Sequence, residues 1–107
     1  MKLTKIGISG YLGRMGKELV NQTKNDRRVK FVGGFDIKHN KNFLQKIFKE
    51  ANVVIDFSSP SAIQSNIDLA LNNKTALVVG TTGLTYKEIK QLKVASKKIP
   101  ILVSSNM

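Results

Sequence analysis

The chain has 107 residues, contains no cysteine, and carries 18 Lys and Arg residues against 7 Asp and Glu residues, a formal net charge of +11. This length fits one domain, and the lack of cysteine excludes a disulfide framework and a thiolate metal site. No apolar run approaches the roughly 20 residues that cross a bilayer, and residues 1–10 lack the apolar segment of a signal peptide. We therefore expect a cytoplasmic protein without a membrane partner.

The positive charge has two interpretations. A basic domain can bind nucleic acid by neutralising phosphates, but the lysines here are scattered along predicted helices, as at Lys87, Lys90, Lys93 and Lys97, rather than clustered with stacking aromatic residues. A solvated lysine-rich surface is the simpler interpretation. Such a surface also favours an anionic cofactor or a dicarboxylate substrate, so we do not expect nucleic acid as a partner.

Short apolar runs alternate with amphipathic runs, a pattern typical of a parallel α/β sheet. The runs rich in Ile, Val and Phe predict five strands: Lys5–Ser9, Val29–Phe35, Val53–Phe57, Ala76–Val79 and Ile101–Ser104. The segments between them predict four helices: Met15–Lys24, Asn42–Lys49, Pro60–Asn72 and Tyr86–Lys97. The predicted fold is a Rossmann-like, doubly wound parallel sheet of about five strands with helices on both faces.

Helix starts and apolar stripes support these assignments. Ser59 is placed to cap the third helix with Pro60 in its first position, and Thr85 and Glu88 have the spacing of a capping box. Apolar residues at helical spacing predict the buried faces, namely Met15 and Leu19 in the first helix, Ile63, Ile67 and Leu71 in the third, and Ile89, Leu92 and Ala95 in the fourth.

The first strand runs directly into a glycine loop, Gly10-Tyr11-Leu12-Gly13-Arg14-Met15-Gly16. In a dinucleotide fold, Gly10 would permit the tight turn, Gly13 would let a pyrophosphate approach the backbone, and Gly16 would let the new helix pack closely on the sheet. The N–H groups and the dipole of the helix start would then face the phosphates. The alternative is a plain strand-to-helix turn.

Asp36 stands 20 residues after Gly16, at the end of the second predicted strand. An acid at that position accepts hydrogen bonds from the adenosine ribose, and it would repel a 2′-phosphate. This favours NADH over NADPH, although Lys38 and Arg14 could compensate the charge, so both cofactors stay open. The alternative for Asp36 is a turn residue that ends a strand.

Two further loops follow the third and fourth strands, Asp56-Phe57-Ser58-Ser59-Pro60 and Gly80-Thr81-Thr82-Gly83. Ligands of open α/β sheets bind beyond the carboxyl ends of the strands, so both loops would lie on the side of the glycine loop. The hydroxyl and N–H groups of the second loop suit a carboxamide or a carboxylate. Without that context, the second loop is equally a glycine-rich turn before a capped helix.

Together these motifs resemble the dihydrodipicolinate reductase family in order and spacing. The resemblance rests on Gly-Arg-Met-Gly within the glycine loop, then Asp-Phe-Ser with Pro60, then Gly-Thr-Thr-Gly, and on a closing Ser105-Asn106-Met107 similar to the family's Asn-Phe-Ser stretch. It spans the whole chain. It implies a reductase of lysine and diaminopimelate biosynthesis that transfers hydride from NADH or NADPH to 4-hydroxy-tetrahydrodipicolinate, a cyclic dicarboxylate, giving tetrahydrodipicolinate.

The resemblance also implies roles for individual residues. The pyrophosphate would lie against the glycine loop, at Gly10, Gly13, Arg14, Met15 and Gly16, and the adenosine ribose at Asp36. The nicotinamide would lie near Phe57 and be oriented by Gly80, Thr82 and Gly83, with Thr82 close to the substrate and Asn106 at the hinge to a second domain.

The family's second domain supplies a His-His pair and a lysine for the substrate, and it returns the chain to complete the first domain. We find no equivalent here, since the one histidine, His39, is interpreted as a solvated loop residue. We therefore expect residues 1–107 to form an N-terminal NAD(P)-binding domain that ends before the catalytic domain and is inactive alone. An exposed sheet edge should result, and the full-length protein should be a homotetramer.

Three alternatives remain at this point. A non-catalytic nucleotide sensor or regulatory domain could use the same fold, because fold does not fix function. A nucleic-acid-binding domain would show salt-dependent affinity for DNA or RNA that does not depend on Asp36. A related two-domain dehydrogenase could share this first half.

Overall fold

The computed structural model describes residues 3–36 and 38–104. It contains five strands, which we name β1 to β5: Thr4–Ser9, Val29–Phe35, Val53–Asp56, Ala76–Val79 and Ile101–Val103. The four α-helices, α1 to α4, span Arg14–Lys24, Lys41–Glu50, Ile63–Asn73 and Tyr86–Ala95. All nine predicted elements are confirmed, with shifts of one to three residues at half of their ends.

The strands form one parallel sheet in the order β2-β1-β3-β4-β5. The chain steps from β1 to β2 in one direction and then crosses back over β1 to β3, β4 and β5. Right-handed crossovers therefore place α1 on one face and α2, α3 and α4 on the other. The predicted helices on both faces are confirmed, and the strand order reverses between β1 and β3, where open α/β sheets bind ligands.

The main core lies between the sheet and α2, α3 and α4. Its most deeply buried side chains include Phe35, Phe48, Val54, Ile63 and Leu77, each at most 1% exposed. The predicted stripe of α3 is confirmed, because Ile63 and Ile67 are buried and Leu71 packs against the same cluster.

Two residues of the predicted apolar stripes do not enter the core. Met15 is 49% exposed, because it sits in the first turn of α1 at the end of the sheet rather than over it. Ile89 is 48% exposed, because α4 turns Leu92 and Ala95 toward the core. For both residues the prediction of burial was wrong.

Of the two predicted helix caps, one is confirmed and the other is wrong. The capping box of α4 is confirmed, since the Glu88 carboxylate accepts hydrogen bonds from the Thr85 N–H at 2.8 Å and the Thr85 hydroxyl at 2.7 Å. Ser59 does not cap α3. Pro60 instead opens a short 3-10 turn, Pro60–Ala62, and the Ser59 hydroxyl pairs with that of Ser61.

The described sheet has two edge strands, β2 and β5. β5 pairs with β4 on one side only, and Leu102 is 64% exposed. Every open sheet has such edges, so the edge expected from a missing return segment stays a prediction. No helix in the described part of the chain has the length and apolar character to cross a membrane.

Candidate functional site

The glycine loop folds back onto the loop that follows β3. Gly10 has a φ of +79°, and a Cβ there would lie 2.7 Å from the carbonyl oxygen of Phe57. Its N–H donates to the Phe35 carbonyl at 2.8 Å. Only glycine fits this turn, because a side chain would meet both an unfavourable φ and fixed backbone. The loop ends of β1, β2 and β3 are thereby held together.

Gly16 is the point of closest approach inside the loop. A Cβ at Gly16 would lie 2.2 Å from the Gly10 carbonyl oxygen and 2.6 Å from the Tyr11 Cα. At Gly13 the nearest heavy atom to such a Cβ would be the same Gly10 oxygen, at 3.5 Å, an ordinary contact. Gly16 is therefore needed for packing, whereas Gly13 leaves room above the start of the helix.

A cleft of about 490 Å³ lies above the carboxyl ends of β1, β3 and β4. The start of α1 lines one side through Gly13, Arg14, Met15 and Gly16, and the loops after β3 and β4 line the other through Phe57, Ser58, Gly80, Thr81 and Thr82. Seven of the predicted site residues are thus brought around one opening. The exposed position of Met15, unexpected for a core residue, is explained by its place in this lining.

The start of α1 is open toward that cleft. Gly13 is the N-cap and has no side chain, and the first turn of α1 contains no acidic residue. The first N–H groups of an α-helix have no partner within the helix. These donors and the positive end of the helix dipole form a binding site for an anion such as a phosphate.

Asp36 follows β2 and lies beside the glycine loop rather than in the cleft lining. Its Oδ1 accepts a hydrogen bond from the Lys38 N–H at 2.8 Å. Among the hydrogen bonds of the described residues, none involves Oδ2. One oxygen of the carboxylate thus orders the turn that follows β2.

His39 lies in a loop, as the sequence indicated, but its side chain is only 34% exposed and is held by neighbouring residues. Its Nδ1 accepts a hydrogen bond from the Asp36 N–H at 3.0 Å and lies 3.6 Å from Asp36 Oδ1. The ring packs between Phe43, at 4.7 Å between centroids, and Tyr11, at 6.2 Å. His39 therefore ties the turn after β2 to α2 and to the glycine loop.

Below the cleft, Asp56 ends β3 with a carboxylate that is 1% exposed. It accepts hydrogen bonds from the Ser58 N–H at 2.9 Å, from the Ser58 and Thr81 hydroxyls, and from Asn66 Nδ2 at 2.8 Å. Asn66 also donates to the Ser9 hydroxyl at 3.2 Å. This buried network joins β1, β3, α3 and the loop after β4.

The remaining predicted site residues lie around this arrangement. Gly10 lies beneath the cleft, and Gly83 follows Thr82 at a φ of +77° without lining it. Asn106 lies outside the described residues. Asn66 was not among the predicted site residues, although a polar residue between Ile63 and Ile67 on an apolar helix face was a usable signal.

The described part of the chain has a further groove away from this cleft. Residues 3–36 and 38–104 contain no group of three metal-ligating side chains. A separate groove of about 400 Å³ runs between α3 and α4, with Ile67, Leu71 and Val94 in its lining and Lys87 and Lys90 at its side. It lacks the carboxyl ends of strands and a glycine loop.

Comparisons with known proteins agree with this geometry. The family model described as "Dihydrodipicolinate reductase, N-terminus" matches residues 4–107. The 4-hydroxy-tetrahydrodipicolinate reductase of Rickettsia bellii (strain OSU 85-389) is 38% identical over 105 residues, covering 98% of this chain and 42% of that protein. The protein of the same name from Buchnera aphidicola subsp. Cinara cedri (strain Cc) is 39% identical over 124 residues, covering 96% and 45%. The chain thus spans less than half the length of these relatives.

Solved structures show the same fold. The dipicolinate-bound dihydrodipicolinate reductase from Paenisporosarcina sp. TG-14 superposes with a TM-score of 0.76 at 19% identity, over 98% of this chain and 48% of that one. The capsular polysaccharide assembling protein CapF from Staphylococcus aureus gives 0.74 at 15% identity, over 94% and 29%. At these identities the likeness establishes a shared Rossmann-like fold and nothing about ligands.

Proposed function

Because this chain belongs to the dihydrodipicolinate reductase family through its N-terminal domain, we propose that it is the cofactor-binding half of an NAD(P)H-dependent oxidoreductase. The reaction is the reduction of 4-hydroxy-tetrahydrodipicolinate in lysine and diaminopimelate biosynthesis. The observation that carries this proposal is the cleft between the open start of α1 and the loops after β3 and β4. The substrate dicarboxylate would be held by a second domain of the full-length protein.

The pyrophosphate fits the start of α1. Gly13 leaves the space that a phosphate needs, since a Cβ there would have no neighbour closer than 3.5 Å. The first-turn N–H groups would donate to the phosphate oxygens, and the exposed Arg14 guanidinium would add a positive charge.

The adenosine ribose fits Asp36. Its Oδ1 is held by the Lys38 N–H, so Oδ2 would accept from a ribose hydroxyl. A carboxylate there repels the 2′-phosphate of NADPH, which favours NADH. Lys38, two residues after Asp36, and Arg14, in the glycine loop, would compensate that charge, so the same site would also accept NADPH.

The nicotinamide end would then reach the loops after β3 and β4. Phe57 would lie beside the ring, and Gly80, Thr82 and Gly83 would orient its carboxamide, with Asn106 close to the hinge that follows. The cofactor, when bound, supplies the hydride. Proton delivery to the substrate requires a general acid within hydrogen-bond reach, and that group would belong to the second domain, so this chain alone should not turn over substrate.

Calorimetric titration of the chain with NADH and with NADPH tests the proposal, with Asp36→Ala as the variant and Asp68→Ala as the matched control. Asp68 is an exposed acid on α3 whose contact is with Gln64, remote from the cleft. We expect NADH binding to weaken in D36A, NADPH to gain relative to NADH, and D68A to behave as wild type. A folded wild-type chain that binds neither cofactor would contradict the proposal for this domain.

A further inference from the structure

The buried carboxylate of Asp56 has no cationic partner. Among the described residues, Arg28 forms an ion pair with Asp26, and no lysine or arginine pairs with Asp56. Its contacts are a backbone N–H, an amide and two hydroxyls. The backbone N–H can only donate, so the arrangement suits a carboxylate that only accepts. The carboxylate is thus surrounded by neutral donors.

Asp56 adjoins the two loops that line the cleft. Asp56 precedes Phe57 and Ser58, and its backbone carbonyl accepts from the Gly80 N–H at 2.8 Å and from the Thr81 hydroxyl at 3.1 Å. These four neighbours all line the cleft, namely Phe57, Ser58, Gly80 and Thr81. Asp56 therefore joins the two loops that would surround the nicotinamide.

We propose that Asp56 is a specificity-determining residue whose buried carboxylate favours the oxidised, positively charged nicotinamide over the reduced, neutral ring. This inference rests on the proposed function. Loss of a hydride with its electron pair turns the neutral ring into a cation, and a fixed negative charge in a poorly solvated site stabilises that cation. The rest of the cofactor is the same in both forms, so the ratio of the two affinities isolates this effect.

Asp56→Asn removes the charge and can retain the hydrogen bonds. Rotation of the Asn66 amide by half a turn would present its oxygen to the new side-chain NH₂, and the Ser9 hydroxyl could donate in place of accepting. Asp68→Asn is the matched control, because it removes one negative charge from the exposed side of α3, the helix that carries Asn66.

The dissociation constants of NAD⁺ and NADH are measured for all three proteins. We expect D56N to raise the dissociation constant of NAD⁺ relative to that of NADH by roughly fivefold, the effect of one nearby charge on a charged ligand. D68N should leave this ratio unchanged. If D56N weakens both forms equally, or neither, the inference is overturned while the proposed function stands. If the wild-type chain binds neither form, both fail.

A second variant decides the matter if D56N does not fold. The exchange D56N/N66D preserves the paired hydrogen bond and the net charge, and it moves the carboxylate from β3 to α3, away from the cleft lining. We expect this double variant to fold and to raise the dissociation constant of NAD⁺ relative to that of NADH by less than the roughly fivefold change expected for D56N. A ratio identical to that of the wild type would overturn the inference.

Discussion

Replacing Gly16 by alanine should destabilise the domain much more than the same change at Gly13. The added Cβ at Gly16 would lie 2.2 Å from the Gly10 carbonyl oxygen and 2.6 Å from the Tyr11 Cα. Both contacts are with backbone, so no side-chain rotation relieves them, and overpacking of this kind costs about 3 kcal/mol at the upper end of its usual range. Alanine regains about 1 kcal/mol of helix propensity, which leaves a net loss of about 2 kcal/mol.

Thermal unfolding followed by circular dichroism measures this difference. For a domain of this size a loss of 2 kcal/mol lowers Tm by about 10 °C. G13A is the control, since its Cβ meets nothing closer than 3.5 Å, and the change at an N-cap should cost less than about 1 kcal/mol. G13A should instead weaken NADH binding, because its methyl group enters the cleft. A Tm of G16A within about 2 °C of the wild type would refute the packing argument.

Two further changes test the support of the helix ends. Thr75→Val removes the buried hydroxyl that donates to the Phe48 carbonyl in the last turn of α2, at 2.7 Å. Urea unfolding should show that the free energy of unfolding falls by about 1–3 kcal/mol, because the carbonyl is left unsatisfied. An unchanged unfolding midpoint would contradict this. Glu88→Gln weakens the capping box of α4, and Tm should fall at neutral pH, whereas Glu18→Gln on the exposed face of α1 should not lower it. The Thr85 hydrogen bonds hold the pKa of Glu88 below its usual 4.5. The contribution of Glu88 is therefore present above pH 4.5 and lost as pH falls through the lowered pKa, so the curves of E88Q and wild type should converge in acid.

The element order could be predicted from the sequence because the signals are local. Runs such as Val53-Val54-Ile55 are apolar at successive positions, as strands covered on both faces must be, and the glycine loop follows the first of them directly. Glu88 and Thr85 are three residues apart, so their capping box depends on nothing outside one turn of helix.

The buried network could not be predicted in the same way. Asp56 and Asn66 are ten residues apart and belong to different elements, and their 2.8 Å contact exists only because α3 packs over the end of β3. His39 likewise was interpreted as solvated because its sequence neighbours are polar. Its partners, Tyr11 and Phe43, come from the glycine loop and from α2.

The sequence by itself determined the strands, the helices, the positions of Gly10, Gly13 and Gly16, and the acid that follows β2, because each depends on residue type and short spacing. The tertiary structure alone decided which of these residues share a cleft. Parallel strands place their carboxyl ends at one edge of the sheet, and that common edge brings Met15, Phe57 and Thr82 together although they are far apart in the chain. It also decided that the carboxylate of Asp56 is buried, since burial depends on what packs above a residue and not on the residue itself.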